Sequence, residues 1–168
     1  MTLVNFALLF PVVLAIHNID EYIRYDDFVR SYPSWLAKKL TRPVVRRAAA
    51  LLTLAAAVLV ALTYFYRSDV LVTISKVAII ALGLNGIGHC LQSLKSRVIV
   101  PGTFSAIVLV LPYSAIAVVM MLINSEESSW SLLRYAAIGA VVAPIAIGSV
   151  LTVSYGFSWL VGRRRDRK

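Results

Sequence analysis

Five apolar runs, each long enough to cross a bilayer, divide this chain and leave little room for a soluble architecture. A hydrocarbon core about 30 Å thick takes roughly 20 mostly apolar residues as a helix. Such runs occupy residues 3–22, 48–66, 70–94, 98–123 and 132–161 of the 168. In lipid every backbone N–H and C=O must find a partner within the protein, which makes runs of this length helices. Composition closes the alternative: 60% of residues are hydrophobic and 15% charged, against about 45–50% and about 25% in soluble domains. Too few polar residues remain to cover a soluble surface. The expected fold is an all-α, polytopic membrane helix bundle, one domain over residues 1–168 with no internal repeat. Pro112 and Pro144 fall inside the fourth and fifth runs as candidate kinks, which neighbouring helices can accommodate.

The charges sort by connection. Seven of the 17 basic residues lie between positions 24 and 47, two more are Lys95 and Arg97, and five form the tail, Arg163, Arg164, Arg165, Arg167 and Lys168. With five spans these segments share one side, fourteen basic residues in all, against Arg67 alone on the other; Lys76 and Arg134 lie within spans. Basic residues accumulate on the cytoplasmic side. The expected orientation is therefore N-terminus out and C-terminus in, within the cell (cytoplasmic) membrane. The formal charge of +9 belongs to topology and to anionic lipid at the interface, not to nucleic acid. Lys76 and Arg134 sit toward the outer ends of their runs and are expected to snorkel. Glu126 and Glu127 are expected in a solvated outer loop, and Asp26 and Asp27 beside local arginines.

Other features narrow the class further. Cys90 is the lone cysteine, so there is neither an intrachain disulfide nor a Cys-rich metal motif. The N-terminal stretch MTLVNFALLFPVVLAI lacks a basic n-region and a small-x-small cleavage pattern, and is expected to be a retained membrane segment. The long connection 24–47 mixes Tyr32, Trp35 and Leu36 with Lys38 and Lys39, the pattern of a short interfacial helix. Pro33 and Pro43 bracket it.

Ionisable residues inside spans are expensive and tend to mark function. The first run ends in HNIDE, with His17, Asp20 and Glu21 on one helical face. His17 lies about 21 Å along the axis from Leu3, in the inner half of the bilayer. The third run carries NGIGH, with Asn85 and His89 four apart and Gln92 continuing the face. That helix runs inward, so His89 sits about 8 Å from its end at Leu94. The two histidines of the chain thus share a depth. Gly83, Gly86 and Gly88 allow close helix approach there, and Pro101-Gly102-Thr103 breaks the chain at the same level. Thr53, Ser154, Tyr155 and Ser158 also fall in the inner half.

These residues resemble the HXXEE-motif integral membrane proteins, small polytopic proteins of uncharacterised function. The matching positions are His17, Glu21, Asn85, His89, Pro101 and Gly102. Asp20 stands where the family name has Glu, keeping a carboxylate one methylene shorter, and Ile99 stands where an aromatic is expected. The resemblance implies a membrane-embedded active site without naming a reaction.

Three classes of chemistry fit the cluster. In the first, an enzyme of isomerase or cyclase type acts on a lipid-like or terpenoid substrate by acid–base catalysis. Glu21 or Asp20 donates the proton, His17 and His89 serve as base or relay, and Asn85 orients the substrate. Pro101, Gly102, Tyr22 and Tyr155 are the candidate substrate contacts, with Tyr25, Phe157 and Trp159 as further aromatic groups able to stabilise a cation. No cofactor is required. In the second, His17, Glu21 and His89 hold a divalent ion such as Zn or Fe and an activated water hydrolyses or hydroxylates a lipid. In the third, the protein is a non-enzymatic proton- or ion-binding transport or accessory protein. The expected partners are membrane lipids and a hydrophobic small molecule; the oligomeric state stays open.

Overall fold

The computed structural model describes residues 2–30, 32–123 and 127–165, with side chains through residue 160. Among these the regular structure is entirely helical. Five long helices dominate: α1 (Leu3–Ile23), α2 (Arg42–Tyr66), α3 (Asp69–Ser96), α4 (Thr103–Ile123) and α5 (Ser129–Arg165). All five are long and apolar enough to cross a membrane. The basic groups of Arg163, Arg164, Arg165, Arg167 and Lys168, and Glu126, lie outside the described residues.

Local chemistry sets the ends and irregularities. In α1 the helix breaks at Leu8 and Leu9, because Pro11 has no N–H for the Ala7 carbonyl and its ring crowds it. In α2 the extended Thr41 and Pro43 in the first turn start the helix at Arg42, six residues earlier than the apolar run suggests. Proline suits a first turn, where its missing N–H would have had no intrahelical partner. The connection predicted over 24–47 therefore shortens, holding two short helices, Tyr25–Arg30 and Ser34–Ala37. Asp26 and Asp27 pair there with Arg42 and Arg30. A two-residue link joins α2 to α3, with Arg67 in the left-handed region at φ 48° and its N–H on the Thr63 carbonyl.

The fourth helix begins at Thr103 and not at residue 98, since Gly102 sits at φ +85°. One turn on, residues Ala106–Val110 widen into a π-helical segment, and the Leu111 N–H reaches back to the Ala106 carbonyl. Pro112 follows at once. A π-bulge accommodates a residue that cannot join the regular ladder.

The helices form a ring in which α1 packs on α2, α2 on α5, α5 on α3, α3 on α4, and the π segment of α4 on α1. Small residues set the closest approach. A Cβ at Gly83 would lie 2.8 Å from the Ser114 Cβ, and one at Gly86 3.0 Å from Val110. Gly88, by contrast, meets nothing within 4 Å. The apolar core gathers where Phe6 stacks on Tyr113 at 4.8 Å, with Leu3, Phe10, Ile79 and Met121 buried around them. Thr63 and Ser75 join α2 to α3 by a 2.9 Å hydrogen bond. On the outside, Leu54, Val108, Val141 and Ile145 are exposed.

Lys76 does not snorkel. It is buried, and its ammonium lies 2.9 Å from Glu127, which also accepts from the Tyr135 hydroxyl at 2.7 Å. Glu127 is therefore not the solvated charge its sequence context suggests. Burial alone would raise the Glu127 carboxyl; hydrogen bonds from Lys76, Tyr135 and Ser131 outweigh it and hold the group below its ordinary range.

Candidate functional site

The site starts from His17, whose side chain is almost fully buried where α1 meets the start of α4. Its Nδ1 lies 2.9 Å from the Ser105 Oγ. That hydroxyl also approaches the Asp20 carboxylate at 2.8 Å and the Gly102 carbonyl at 3.1 Å. Both of these neighbours only accept, and a serine hydroxyl has one hydrogen to give. Toward His17 it must therefore accept, which puts the ring proton on Nδ1. The other nitrogen, Nε2, is left with its lone pair, and the Asn85 amide donates to it at 3.1 Å. Asp20 is held in turn by the Ser105 N–H at 3.0 Å and by Arg24 at 3.6 Å. Arg24 reaches on to the carbonyls of Ile99 and Val100, tying α1 to the loop before α4.

Glu21 lies on the other side of His17. Its Oε1 is 3.0 Å from His89 Nε2 and 3.8 Å from His17 Nε2. The first is a hydrogen-bonding distance; the second leaves a gap between carboxyl and lone pair. The two imidazoles meet edge to face, centroids 5.0 Å apart. Gly102 wedges under both: a Cβ there would fall 2.9 Å from His89 Cε1, 3.0 Å from His17 Cε1 and 3.1 Å from His89 Nδ1. His89 Nδ1 is buried with no hydrogen-bond partner.

A cavity of about 470 Å³ opens above this cluster between α1, α2, α3 and α5. His17, Glu21, Asn85, His89 and Gln92 line one part of it, and Phe10, Leu14, Leu52, Val77, Leu82 and Ile147 give the apolar remainder. A smaller pocket of about 110 Å³ lies on the far side of His89, between Phe28, Tyr32, Gln92, Val100 and Pro101. Tyr32 borders both spaces. Burial, with Glu21 nearby, pushes its phenol up to about 12.

Of the residues singled out in the sequence, His17, Asp20, Glu21, Asn85, His89 and Gly102 come together, and Pro101 borders the smaller pocket. Asp20 does not line the cavity; it stands behind His17. Tyr22 and Tyr155 do not line it either, and Tyr155 lies half-exposed beneath Lys39, whose ammonium is 5.9 Å from the ring centre. Ser105 was missed. Its signal was a small polar residue three positions after a helix-breaking glycine, in the first turn of an apolar run. Tyr32, read only as an interfacial aromatic, joins the site as well.

Among the described residues one group of side chains could hold a metal ion. His17, Glu21 and His89 each offer a ligand atom, all within 4.8 Å of one another. Ligands around tetrahedral zinc stand about 3.3 Å apart, from bonds of about 2.0–2.1 Å. The Glu21–His89 separation of 3.0 Å is close to this, and the His17–Glu21 separation of 3.8 Å is wide. His17 has the carboxylate-linked Nδ1–H typical of a ligating histidine; His89 does not.

A family model for proteins of unknown function with an HXXEE motif matches residues 8–117. The chain belongs to this family. Neither the curated proteins nor the solved structures include a match. The HXXEE segment of this member reads His17-Asn18-Ile19-Asp20-Glu21, and the matched stretch runs from α1 into α4, taking in every residue of the cluster and stopping short of α5.

Proposed function

We propose that this HXXEE protein is a membrane-embedded enzyme that moves a proton on a hydrophobic, lipid-like or terpenoid molecule, in a reaction of isomerase or cyclase type. One observation carries the reading: a largely apolar cavity has His17, Glu21, Asn85 and His89 gathered on its wall. Glu21 in its acid form gives a proton to a substrate carbon. His17 Nε2, whose lone pair is set by the Ser105 contact on the other nitrogen and is released as the Asn85 amide turns from it to the substrate, takes one from the neighbouring carbon. The proton returns from His17 to Glu21 across the gap between them, so the cycle consumes no cofactor. His89 orients Glu21, Asn85 orients His17 or the substrate, and Asp20 with Ser105 positions His17 from behind. Exclusion of water protects a cationic intermediate.

The fourteen-to-one basic split supports an N-out, C-in orientation in the cell membrane, with the site in the cytoplasmic half of the bilayer and lipids as immediate partners. The test is incubation of the purified protein with a membrane lipid extract in D₂O. Wild type should yield a lipid carrying deuterium on carbon, and Glu21→Gln should not. No labelled product with wild type, or undiminished labelling with Glu21→Gln, overturns the assignment.

The three-residue ligand set favours a second reading, in which a zinc or iron ion at His17, Glu21 and His89 serves a hydrolase or oxygenase. Metal analysis after chelator-free purification decides it. One ion per chain, lost in His17→Ala, supports it; no bound metal removes it.

A further inference from the structure

We infer that the cavity takes a single-chain amphiphile with an uncharged, oxygen-bearing head, its head at the His89–Gln92 end and its tail between α1 and α5. This rests on the catalytic reading above and names the substrate class.

The head chemistry follows from what surrounds that end. Gln92, Asn85 and Tyr32 offer neutral groups that both donate and accept, beside Glu21 and the two histidines. Among the described residues no lysine or arginine lines the cavity. Arg24, directly after α1, is turned to Asp20 and to the Ile99 and Val100 carbonyls. A phosphate, diphosphate or carboxylate head would enter with no lysine or arginine to meet it and face Glu21, and a buried charge without a firm partner is costly. An ammonium head would have to draw Glu21 off His89, which already lies 3.0 Å from it. An alcohol, enol or ketone does neither.

The tail follows from shape. On α1 the lining runs from Phe10 to Glu21, about 16 Å of helix axis. A volume of about 470 Å³ drawn out along that length is an elongated space that accommodates an extended hydrocarbon chain. The α5 wall is a helical stripe of Ala143, Ala146, Ile147 and Val150, whose two alanines leave the space a tail occupies. α1 and α5 stand on opposite sides of the ring without substantial packing between them, and the tail fills that interval.

The experiment uses the full-length protein in detergent micelles and a displaceable fluorescent single-chain fatty alcohol. Competitors are a fifteen-carbon isoprenoid alcohol, its diphosphate, the matching amine and a two-chain phosphatidylcholine. The alcohol should compete with one-to-one stoichiometry and at least tenfold more tightly than each of the others. Ala146→Trp, which fills the cavity from α5, should abolish that binding, and the milder Ala143→Leu should weaken it several-fold in a chain that keeps its thermal transition. A diphosphate, amine or two-chain lipid that competes as well as the alcohol overturns the inference, and so does unchanged binding in a folded Ala146→Trp or Ala143→Leu. Tight alcohol binding with no deuterium incorporation in D₂O sinks the catalytic reading and leaves this one standing. Deuterium incorporation into a charged-head lipid does the reverse.

Discussion

Gly102→Ala tests the site's construction without knowledge of the substrate. Two effects add at this position. The backbone sits at φ +85°, a conformation that costs a residue with a Cβ about 1–2 kcal/mol. The new methyl would also stand 2.9 Å and 3.0 Å from the Cε1 atoms of His89 and His17. Carbon atoms prefer about 3.5–4.0 Å, so each ring must retreat by about 0.5–1 Å. Overpacking of this kind costs about 1–3 kcal/mol, giving a total of about 2–5 kcal/mol. The assay is equilibrium unfolding in mixed micelles by titrated SDS, alongside ¹⁵N spectra of the two histidines. Gly88→Ala is the control, because nothing lies within 4 Å of a Cβ there; it should stay within about 1 kcal/mol of wild type. Ring displacement also opens the Glu21–His89 contact, and a misplacement of about 1 Å can cost about a hundredfold in turnover. If Gly102→Ala unfolds like Gly88→Ala and leaves both histidine spectra unchanged, the packing described for this site is wrong.

Two further perturbations reach other parts of the molecule. Ser105→Ala removes the acceptor that holds the proton on His17 Nδ1; ¹⁵N spectra should show His17 changing from one predominant tautomer to a mixture, whereas Ser114→Ala, on the same helix but bonded to the Ile79 carbonyl, should leave it alone. An unchanged His17 tautomer in Ser105→Ala would remove Ser105 from its positioning role. Lys76→Met strands Glu127 in a site where both side chains are about nine-tenths buried, and should cost about 3–5 kcal/mol by SDS unfolding, with Lys76→Met/Glu127→Leu recovering much of it. Because the folded Glu127 carboxyl lies below its ordinary value of 4.5, its contribution is fully present above that pH and is lost as pH falls through the lower folded value. Wild type should therefore lose stability on acidification in a way that Glu127→Gln does not; parallel pH curves would refute the pairing.

The helices were legible in the sequence because apolar length alone dictates them in lipid. Their ends were less so, since they depend on local chemistry that hydropathy averages over. Arg42, Arg46 and Arg47 look like a loop by charge, yet Thr41 and Pro43 start α2 among them. Ile99 and Val100 look like helix by hydropathy, yet Gly102 delays α4 to Thr103. The meeting of His17 with His89 was legible from depth, which follows from rise per residue and direction of travel. Ser105 was not, because its role depends on which way the first turn of α4 faces, and a serine in an apolar run has no periodic signature. Lys76 misled for a related reason: its partner Glu127 lies 51 positions away, and only the fold brings the two together.

The same geometry explains why adjacent carboxylates in one motif do different work. On a helix with about 100° between residues, positions three and four beyond His17 fall about 60° to one side of it and about 40° to the other. Asp20 thus turns toward the start of α4, where the Ser105 N–H and hydroxyl hold it at 3.0 Å and 2.8 Å. Glu21 turns toward α3 and the cavity, where it meets His89. The two flank the imidazole, one acting through Ser105 on Nδ1 and the other facing Nε2. A histidine followed by carboxylates at both spacings can therefore have one ring nitrogen fixed from behind and the other, here met by the Asn85 amide, turned toward the cavity. The shorter Asp20 serves on the fixed side, because α4 presents its first turn directly against α1, while the longer Glu21 is needed where the partner lies across the cavity wall on α3.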